Sequence, residues 1–165
     1  MKELELNPIV QDALDINNIT YKVLACDPGF ADTAVFCEHY GFLPEQAANT
    51  ILIASKKIEP TQYSVCVVLA TTKLDVNKKV SGLMGIKRLS FADAETTEQL
   101  TLMMIGGVTA IGITDLPIYV DQAVMKQEHV IMGGGNRSSK LLINPTELLK
   151  LENVQIIEGL ANFAR

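Results

Sequence analysis

The apolar and polar residues of this chain alternate over short stretches, which predicts short strands interleaved with short helices. Asn7, followed by Pro8 and an apolar stripe, predicts a first helix over residues 8–17. The clearest strands are predicted at 50–54 and 63–70, and the second is almost continuously apolar, as is typical of a strand buried on both faces. Further strands are predicted at 20–25, 87–89, 117–121, 128–132, 140–143 and 154–157, and further helices at 32–41, 75–83, 92–100 and 145–151. The strand spacing is too irregular for a regular βαβ series, so we expect an α/β or α+β fold with a mixed sheet.

Composition places the chain among globular proteins. Its 165 residues are 48% apolar and 20% charged, which argues against a disordered chain and fits a single domain over residues 1–165. No apolar run approaches the roughly 20 residues of a membrane helix, and the acidic start lacks the apolar core of a signal peptide. The three cysteines are odd in number and widely spaced, which argues against a secreted disulfide scaffold. We therefore expect a cytoplasmic protein.

Positive charge is concentrated in one segment of an acidic chain. The net charge is −5, yet residues 73–88 carry five cations against one acid, Asp75. A basic segment of this kind can contact a polyanion such as RNA, and each neutralised phosphate adds to the salt dependence of binding. The alternative is a solvated helix face whose lysines serve solubility. The candidates for contacts to a nucleic-acid backbone are Lys73, Lys78, Lys79, Lys87 and Arg88.

Two glycine-rich windows lie between predicted strands, and they contain Gly106, Gly107 and Gly112, and Gly133, Gly134 and Gly135. Glycine is used where a backbone turns tightly or approaches something closely. Two such loops can form a pocket whose hydrogen-bonding groups are backbone N–H and C=O, which suits a small polar ligand or the oxyanion of an acyl transfer. The alternative is a pair of tight turns without a ligand. Neither window matches a phosphate-binding fingerprint.

The order of these segments resembles the YbaK/prolyl-tRNA synthetase editing-domain family, the bacterial aminoacyl-tRNA deacylases that act in trans. The matching segments are residues 46–54 (QAANTILIA), 74–95, 105–121 and 130–151, in family order. The resemblance implies a mixed, barrel-like β-sheet flanked by helices, with a pocket at one end for the aminoacylated 3′ end of a tRNA. The implied reaction hydrolyses the ester between a wrong amino acid and the terminal ribose. Such correction is needed because a synthetase pocket gains only about 1–3 kcal/mol per methylene.

Two departures from the family pattern affect this pocket. The family carries a lysine that points into the pocket at the position of Asn49, and an amide brings no positive charge. The glycine loop of the family reads G-x-x-x-P, and here Ala110 stands at the position of the proline, which frees φ and adds a backbone N–H. The resemblance therefore implies a retained pocket frame that has lost its charged residue.

Several interpretations stay open. In the first, the protein hydrolyses mischarged tRNA: Asn49 orients substrate or water, backbone donors stabilise the oxyanion, and the substrate's ribose hydroxyl assists. In the second, it binds aminoacyl-tRNA or a small aminoacyl ligand without hydrolysing it. In the third, the fold serves an unrelated ligand. A non-enzymatic module that docks on a synthetase or on another copy of the chain is a further alternative. The catalytic candidates of the first interpretation are Asn49, Gly107, Thr109 and Gly112.

Other residues are candidates for substrate binding. Arg137 and Lys140 are candidates for a phosphate at the tRNA end, and Asp121 either binds the α-ammonium of the amino acid or caps the next turn. The stretch after the first strand lines the pocket mouth in the family, and the resemblance therefore adds Cys26, Asp27, Asp32, Thr33 and His39.

The sequence predicts neither a metal nor an organic cofactor. Cys26, Cys37 and His39 match no common zinc spacing, and no cofactor motif is present. The expected partner is the aminoacylated 3′ end of a tRNA, with an aminoacyl-tRNA synthetase as a further candidate.

Overall fold

The computed structural model describes residues 5–163. Its helices are α1 (Pro8–Ile16), α2 (Thr33–Tyr40), α3 (Ser81–Met84), α4 (Ala94–Thr101) and α5 (Gln122–Met125). Its strands are β1 (Lys22–Ala25), β2 (Ala48–Ser55), β3 (Tyr63–Leu69), β4 (Thr72–Leu74), β5 (Leu89–Phe91), β6 (Ile118–Asp121), β7 (Val130–Gly133), β8 (Ser139–Ile143), β9 (Val154–Ile157) and β10 (Ala161–Phe163). Short 3₁₀- or π-helical segments lie at Pro28–Phe30, Pro44–Gln46, Val76–Val80 and Pro145–Lys150.

The strands form three sheets. The largest has the order β5-β2-β3-β6-β9, the second has the order β1-β8-β7, and β10 pairs with β4. The pairs β3–β6 and β6–β9 are parallel and the other strand pairs are antiparallel. A single parallel bridge between Ala47 and Ile131 joins the first two sheets. The predicted mixed α/β fold with flanking helices is confirmed, although these sheets do not close into a barrel.

Strand β3 lies between two layers of core. Val65 and Val67 face a cluster that includes Val10 and Leu14 of α1. The alternate residues face a second cluster, and one of them is Cys66, whose thiol pKa burial raises to about 12. Adjacent strand residues point to opposite sheet faces, so the uninterrupted apolar run of β3 serves both clusters.

The helix boundaries follow the sequence signals for capping. The Asn7 side chain accepts a hydrogen bond from the Ile9 N–H at 2.9 Å, and α1 follows it, as predicted. Helix α2 ends at Gly41, whose φ of +76° is favourable for glycine. The helix predicted over residues 75–83 is divided into the π-helical turn Val76–Val80 and the short α3. Within residues 5–163, every helix is too short or too polar to cross a lipid bilayer.

Candidate functional site

A cavity of about 290 Å³ lies where β2, β7 and β8 meet the loop around Gly106. Asn49 lies on the wall formed by β2, and Lys140 lies on the wall formed by β8. The remaining lining residues are Thr33, Ala48, Thr50, Ile51, Leu52, Thr97, Ile105, Gly106, Val108 and Gly133. The cavity therefore combines a few polar groups with an apolar wall, which is the usual make-up of a small-ligand site.

The two glycine-rich loops lie directly against each other. The Gly135 N–H donates to the Gly107 carbonyl at 2.7 Å, and the Met104 N–H donates to the Gly135 carbonyl at 3.0 Å. A Cβ at Gly107 would overlap the carbonyl of Asn136, and a Cβ at Gly133 would overlap the carbonyl of Gly107. Both positions need glycine because backbone meets backbone there. Their contact places Gly106 and Gly133 together at the cavity wall.

Asn49 is held by a hydroxyl from the start of α2. The Thr33 Oγ1 donates to the Asn49 Oδ1 at 2.6 Å. Asn49 pairs with Val68 in the β2–β3 ladder, so its position along the strand is set by the sheet. The accepting oxygen is thereby occupied, and no described residue accepts a hydrogen bond from the amide nitrogen. This nitrogen is the part of the side chain that can donate to a ligand.

Lys140 brings a positive charge into the same cavity. Lys140 is only 5% exposed. Its Nζ donates to the Gly106 carbonyl at 2.7 Å and lies 5.7 Å from the centroid of the Phe36 ring. Burial lowers the pKa of the Lys140 ammonium, and the nearby Cys26 thiol opposes that shift. The expectation that the pocket has lost its charge is therefore wrong, because strand β8 supplies a cation where β2 supplies an amide.

Comparison with known proteins identifies the family of this chain. Residues 27–151 match the aminoacyl-tRNA editing domain family. The chain belongs to that family. The matched span contains Asn49, Lys140 and both glycine loops.

The chain is also similar to individual proteins and solved structures. YwhH of Bacillus subtilis (strain 168), an uncharacterized protein, is 32% identical over 113 residues, which cover 63% of this chain and 71% of YwhH. A crystal structure described as a candidate trans-editing enzyme for prolyl-tRNA synthetase has a TM-score of 0.79 at 24% identity, covering 97% of this chain and all of the other. The structure of the hypothetical protein APE2540 has a TM-score of 0.81 at 19% identity, covering 93% of this chain and 99% of the other. These two structures show that this chain shares their fold.

The other predicted catalytic residues of this editing domain do not line the cavity. The Gly107 N–H donates to the Met104 carbonyl at 2.9 Å, and the Thr109 N–H faces the Met103 sulfur at 3.4 Å. Gly112 has a φ of +111° and packs against Ile9 and Met103. Of the four predicted catalytic residues, the cavity lining contains Asn49. The predicted backbone oxyanion site at 107–112 therefore gains no support from these positions.

Arg137 joins the cavity loops to each other. Its guanidinium donates to the Pro28 carbonyl at 2.9 Å and 3.1 Å, and to the Ile105 carbonyl at 2.8 Å. Its Nη1 also lies 3.4 Å from the Asp32 carboxylate. These contacts connect the segment before α2 with the glycine loop. The predicted contact of Arg137 with a tRNA phosphate stays a prediction.

The remaining pocket-edge candidates lie outside the cavity lining. Cys26 is buried beside Phe36 and Cys37, and burial raises the pKa of its thiol. The exposed Asp27 accepts from the Gly29 N–H at 2.8 Å, and the exposed His39 stacks on Phe30 with ring centroids 3.9 Å apart. Among the residues that the structure describes, no cluster of histidine, cysteine and carboxylate side chains is arranged to hold a metal.

Asp121 and two of the glycines are also separate from the cavity lining. Asp121 is buried at the end of β6, where burial raises the pKa of its carboxyl group. A Cβ at Gly134 would meet Ser139, and one at Gly135 would meet Asn7, so these glycines permit close packing of the loop. The five cations of the basic segment are all exposed and lie outside the cavity lining.

Sequence reasoning missed the apolar wall of the cavity and the contribution of α4. Thr97 lines the cavity from α4, and Ile105 and Val108 line it from the glycine loop. The glycines between Ile105 and Val108 could have indicated this part of the wall. Residues beside a closely packed backbone are held near the site. Nothing local in the sequence distinguishes Thr97 from a surface threonine.

Proposed function

We propose that this editing domain hydrolyses, in trans, the ester that links a wrong amino acid to the 3′-terminal ribose of a tRNA. The observation that carries the proposal is a single cavity presenting the Asn49 amide nitrogen and the Lys140 ammonium. Membership of the aminoacyl-tRNA editing domain family supports the substrate class.

The reaction needs stabilisation of a developing negative charge. The oxygen of a water molecule attacks the ester carbonyl carbon, and the carbonyl oxygen becomes an oxyanion in the tetrahedral intermediate. The bond between that carbon and the ribose oxygen then breaks, and a proton derived from the water passes to the ribose oxygen. The products are the free amino acid and an uncharged tRNA.

Each polar group of the cavity has a role in this scheme. Asn49 donates from its amide nitrogen to the ester, while Thr33 keeps the amide in its donating orientation. Lys140 supplies the positive charge that opposes the oxyanion, and its burial strengthens that interaction by lowering the local dielectric constant. Ile51, Leu52 and Val108 form an apolar wall, which suits the small apolar amino acids that synthetases confuse.

The proposed reaction takes place in the cytoplasm, where tRNAs are charged. The enzyme's substrate partner is the aminoacylated 3′ end of a tRNA, and its upstream partner is the synthetase whose error it corrects.

A deacylation panel tests the proposal. Mischarged tRNAs carrying different amino acids are incubated with wild type, with Asn49→Ala and with Gln122→Ala, which removes an exposed amide from the surface helix α5. Wild type is expected to hydrolyse at least one substrate well above the buffer rate. Asn49→Ala is expected to lose at least tenfold in rate, about 1.4 kcal/mol, while Gln122→Ala keeps it.

Two outcomes would contradict the proposal. If no substrate is hydrolysed above the buffer rate while tRNA still binds, the protein is a binding module. If Asn49→Ala hydrolyses as fast as wild type, Asn49 has no part in the mechanism.

A further inference from the structure

A second concavity, which we call the basic groove, lies between β4, β5, β10 and the turn Val76–Val80. Its volume is about 830 Å³. Its lining combines aromatic rings, cations and small polar side chains, among them Lys73, Asn77, Lys78, Ser90, Phe91 and Phe163. None of these residues lines the cavity at Asn49.

Two phenylalanines on the basic groove are open to solvent. Phe91 is 62% exposed and Phe163 is 77% exposed. Large rings are normally buried, so two exposed ones on one concave surface indicate a binding surface rather than scattered surface residues. A flat ring that is open to solvent can stack on any nucleobase, because every base has a π-face.

The charges around these rings favour a polyanion. Lys73 and Lys78 lie in the groove, and Lys79, Lys87 and Arg88 are exposed nearby in the sequence. In the described part of the chain, none of the five forms an ion pair with a carboxylate. Asp75 also lies in the groove, and its Oδ1 accepts from the Lys78 backbone N–H at 3.1 Å. A cationic surface on a chain of net charge −5 is complementary to phosphates.

The sheet connects the basic groove with the cavity. Phe91 pairs with Ile53 in the β2–β5 ladder, and Asn49 lies four residues earlier in β2. Four strand residues span about 13 Å. Along β2, the register position of Phe91 is thus separated from Asn49 by a distance that a few extended nucleotides can cover.

We propose that the basic groove binds unpaired nucleotides of RNA, with bases stacked on Phe91 and Phe163 and phosphates beside Lys73 and Lys78. If the proposed function holds, these nucleotides belong to the tRNA whose aminoacylated end occupies the cavity. The groove is then a sequence-tolerant site that holds the strand while the cavity carries out the chemistry.

Direct binding tests this proposal without any deacylation. A fluorescent, unstructured RNA of 12 nucleotides (within the roughly 4–16 nucleotides that a single-strand site covers) is titrated with wild type, Phe91→Ala, Phe163→Ala and Leu149→Ala. Leu149 is exposed and lies outside the groove, so its truncation is the matched control. Each phenylalanine variant is expected to bind at least fivefold more weakly, the lower end for one lost base–aromatic stack, with Leu149→Ala unchanged.

A 2-aminopurine base in the same RNA reports stacking. Its fluorescence is expected to fall on binding to wild type and to fall less with Phe91→Ala. Equal affinity of wild type and both phenylalanine variants would overturn the proposal. So would a wild-type dimer that both variants convert to monomer, because the groove would then be an interface between copies.

The outcomes separate this proposal from the proposed function. Loss of RNA binding in the phenylalanine variants, together with no deacylation by wild type, would contradict the function alone. Deacylation by wild type, with RNA affinity unchanged in the variants, would contradict the groove alone.

Discussion

The cavity and the basic groove differ in how firmly their polar groups are held. In the cavity, Asn49 accepts from Thr33 and Lys140 donates to Gly106, and the glycine loops leave no space for side chains behind them. In the basic groove, Lys73 and Phe91 are exposed to solvent. Preorganised donors suit the stabilisation of one developing charge, whereas exposed cations and open rings suit tolerant binding of a polymer.

The largest effect is expected from filling the space between the glycine loops. Gly107→Ala places a Cβ on the Asn136 carbonyl, so the backbone must shift, and we expect the free energy of unfolding to fall by about 3 kcal/mol. Gly82→Ala is the matched control, since nothing lies within 4 Å of its Cβ and it sits in α3. Urea denaturation of both variants measures the difference. Equal stability of the two would show that the loops are not tightly packed.

The next largest effect is expected at Lys140. Lys140→Met keeps the length of the side chain and removes its charge, and we expect deacylation to fall about 100-fold, about 2.7 kcal/mol. Lys126→Met, at an exposed lysine outside the cavity lining, is the control and should keep the wild-type rate. If both variants deacylate equally, the ammonium in the cavity plays no part in the reaction.

The pH dependence distinguishes a catalytic ammonium from a structural one. Burial lowers the pKa of Lys140, so the rate above buffer should fall as pH rises through that lowered pKa, and Lys140→Met should lack this decline. Stability should change in the opposite direction. The unfolded state binds the proton more tightly, so wild type should gain stability as pH rises from the folded pKa towards the ordinary lysine value. Thermal unfolding across this range measures the gain, which Lys140→Met should lack.

The sequence predicted the parts of the cavity that depend on local chemistry. Buried strands and glycine loops have local signatures: β3 lies where it was predicted, and the two predicted glycine loops lie against each other. Lys140 was expected at a phosphate of the tRNA end, which stays a prediction, and the structure places it in the cavity wall. Its burial depends on the position of β8 between β1 and β7, which is a matter of long-range register. A lysine in a strand otherwise resembles any surface lysine.

The basic groove shows the same division between local and long-range information. The cluster of lysines is visible in the sequence, but the strands β4 and β10 were not predicted. Each is three residues long, and they pair across a long separation, with Ala161 opposite Leu74. Short strands of this kind are determined by their partner rather than by their own pattern. The position of Phe163 on the groove could not be predicted without that pairing.

A smaller effect is expected from the residue that orients Asn49. Thr33→Val removes the hydroxyl that donates to Asn49 Oδ1 at 2.6 Å, so the amide can rotate and the rate should fall about fivefold, about 1 kcal/mol. Thr33→Ser keeps the hydroxyl and should restore most of the rate. Thr61→Val, at an exposed threonine in the loop before β3, is the control. Deacylation kinetics of the three variants test this, and a slow Thr33→Ser would show that the methyl group matters instead.

The smallest effect is expected from two lysines of the basic segment. Lys78→Glu combined with Lys79→Glu should weaken tRNA binding a few-fold at moderate salt, and the slope of log affinity against log salt should become shallower by about one to two. Both lysines are exposed, so stability should not change. Lys126→Glu, which is also exposed, should leave the slope as in wild type. Affinity measured at several salt concentrations decides whether the two lysines contact tRNA phosphates or only form a solvated surface. In the second case, wild type, the double variant and Lys126→Glu would all give the same slope. A shallower slope combined with an unchanged rate at saturating tRNA would locate binding in the groove and chemistry in the cavity.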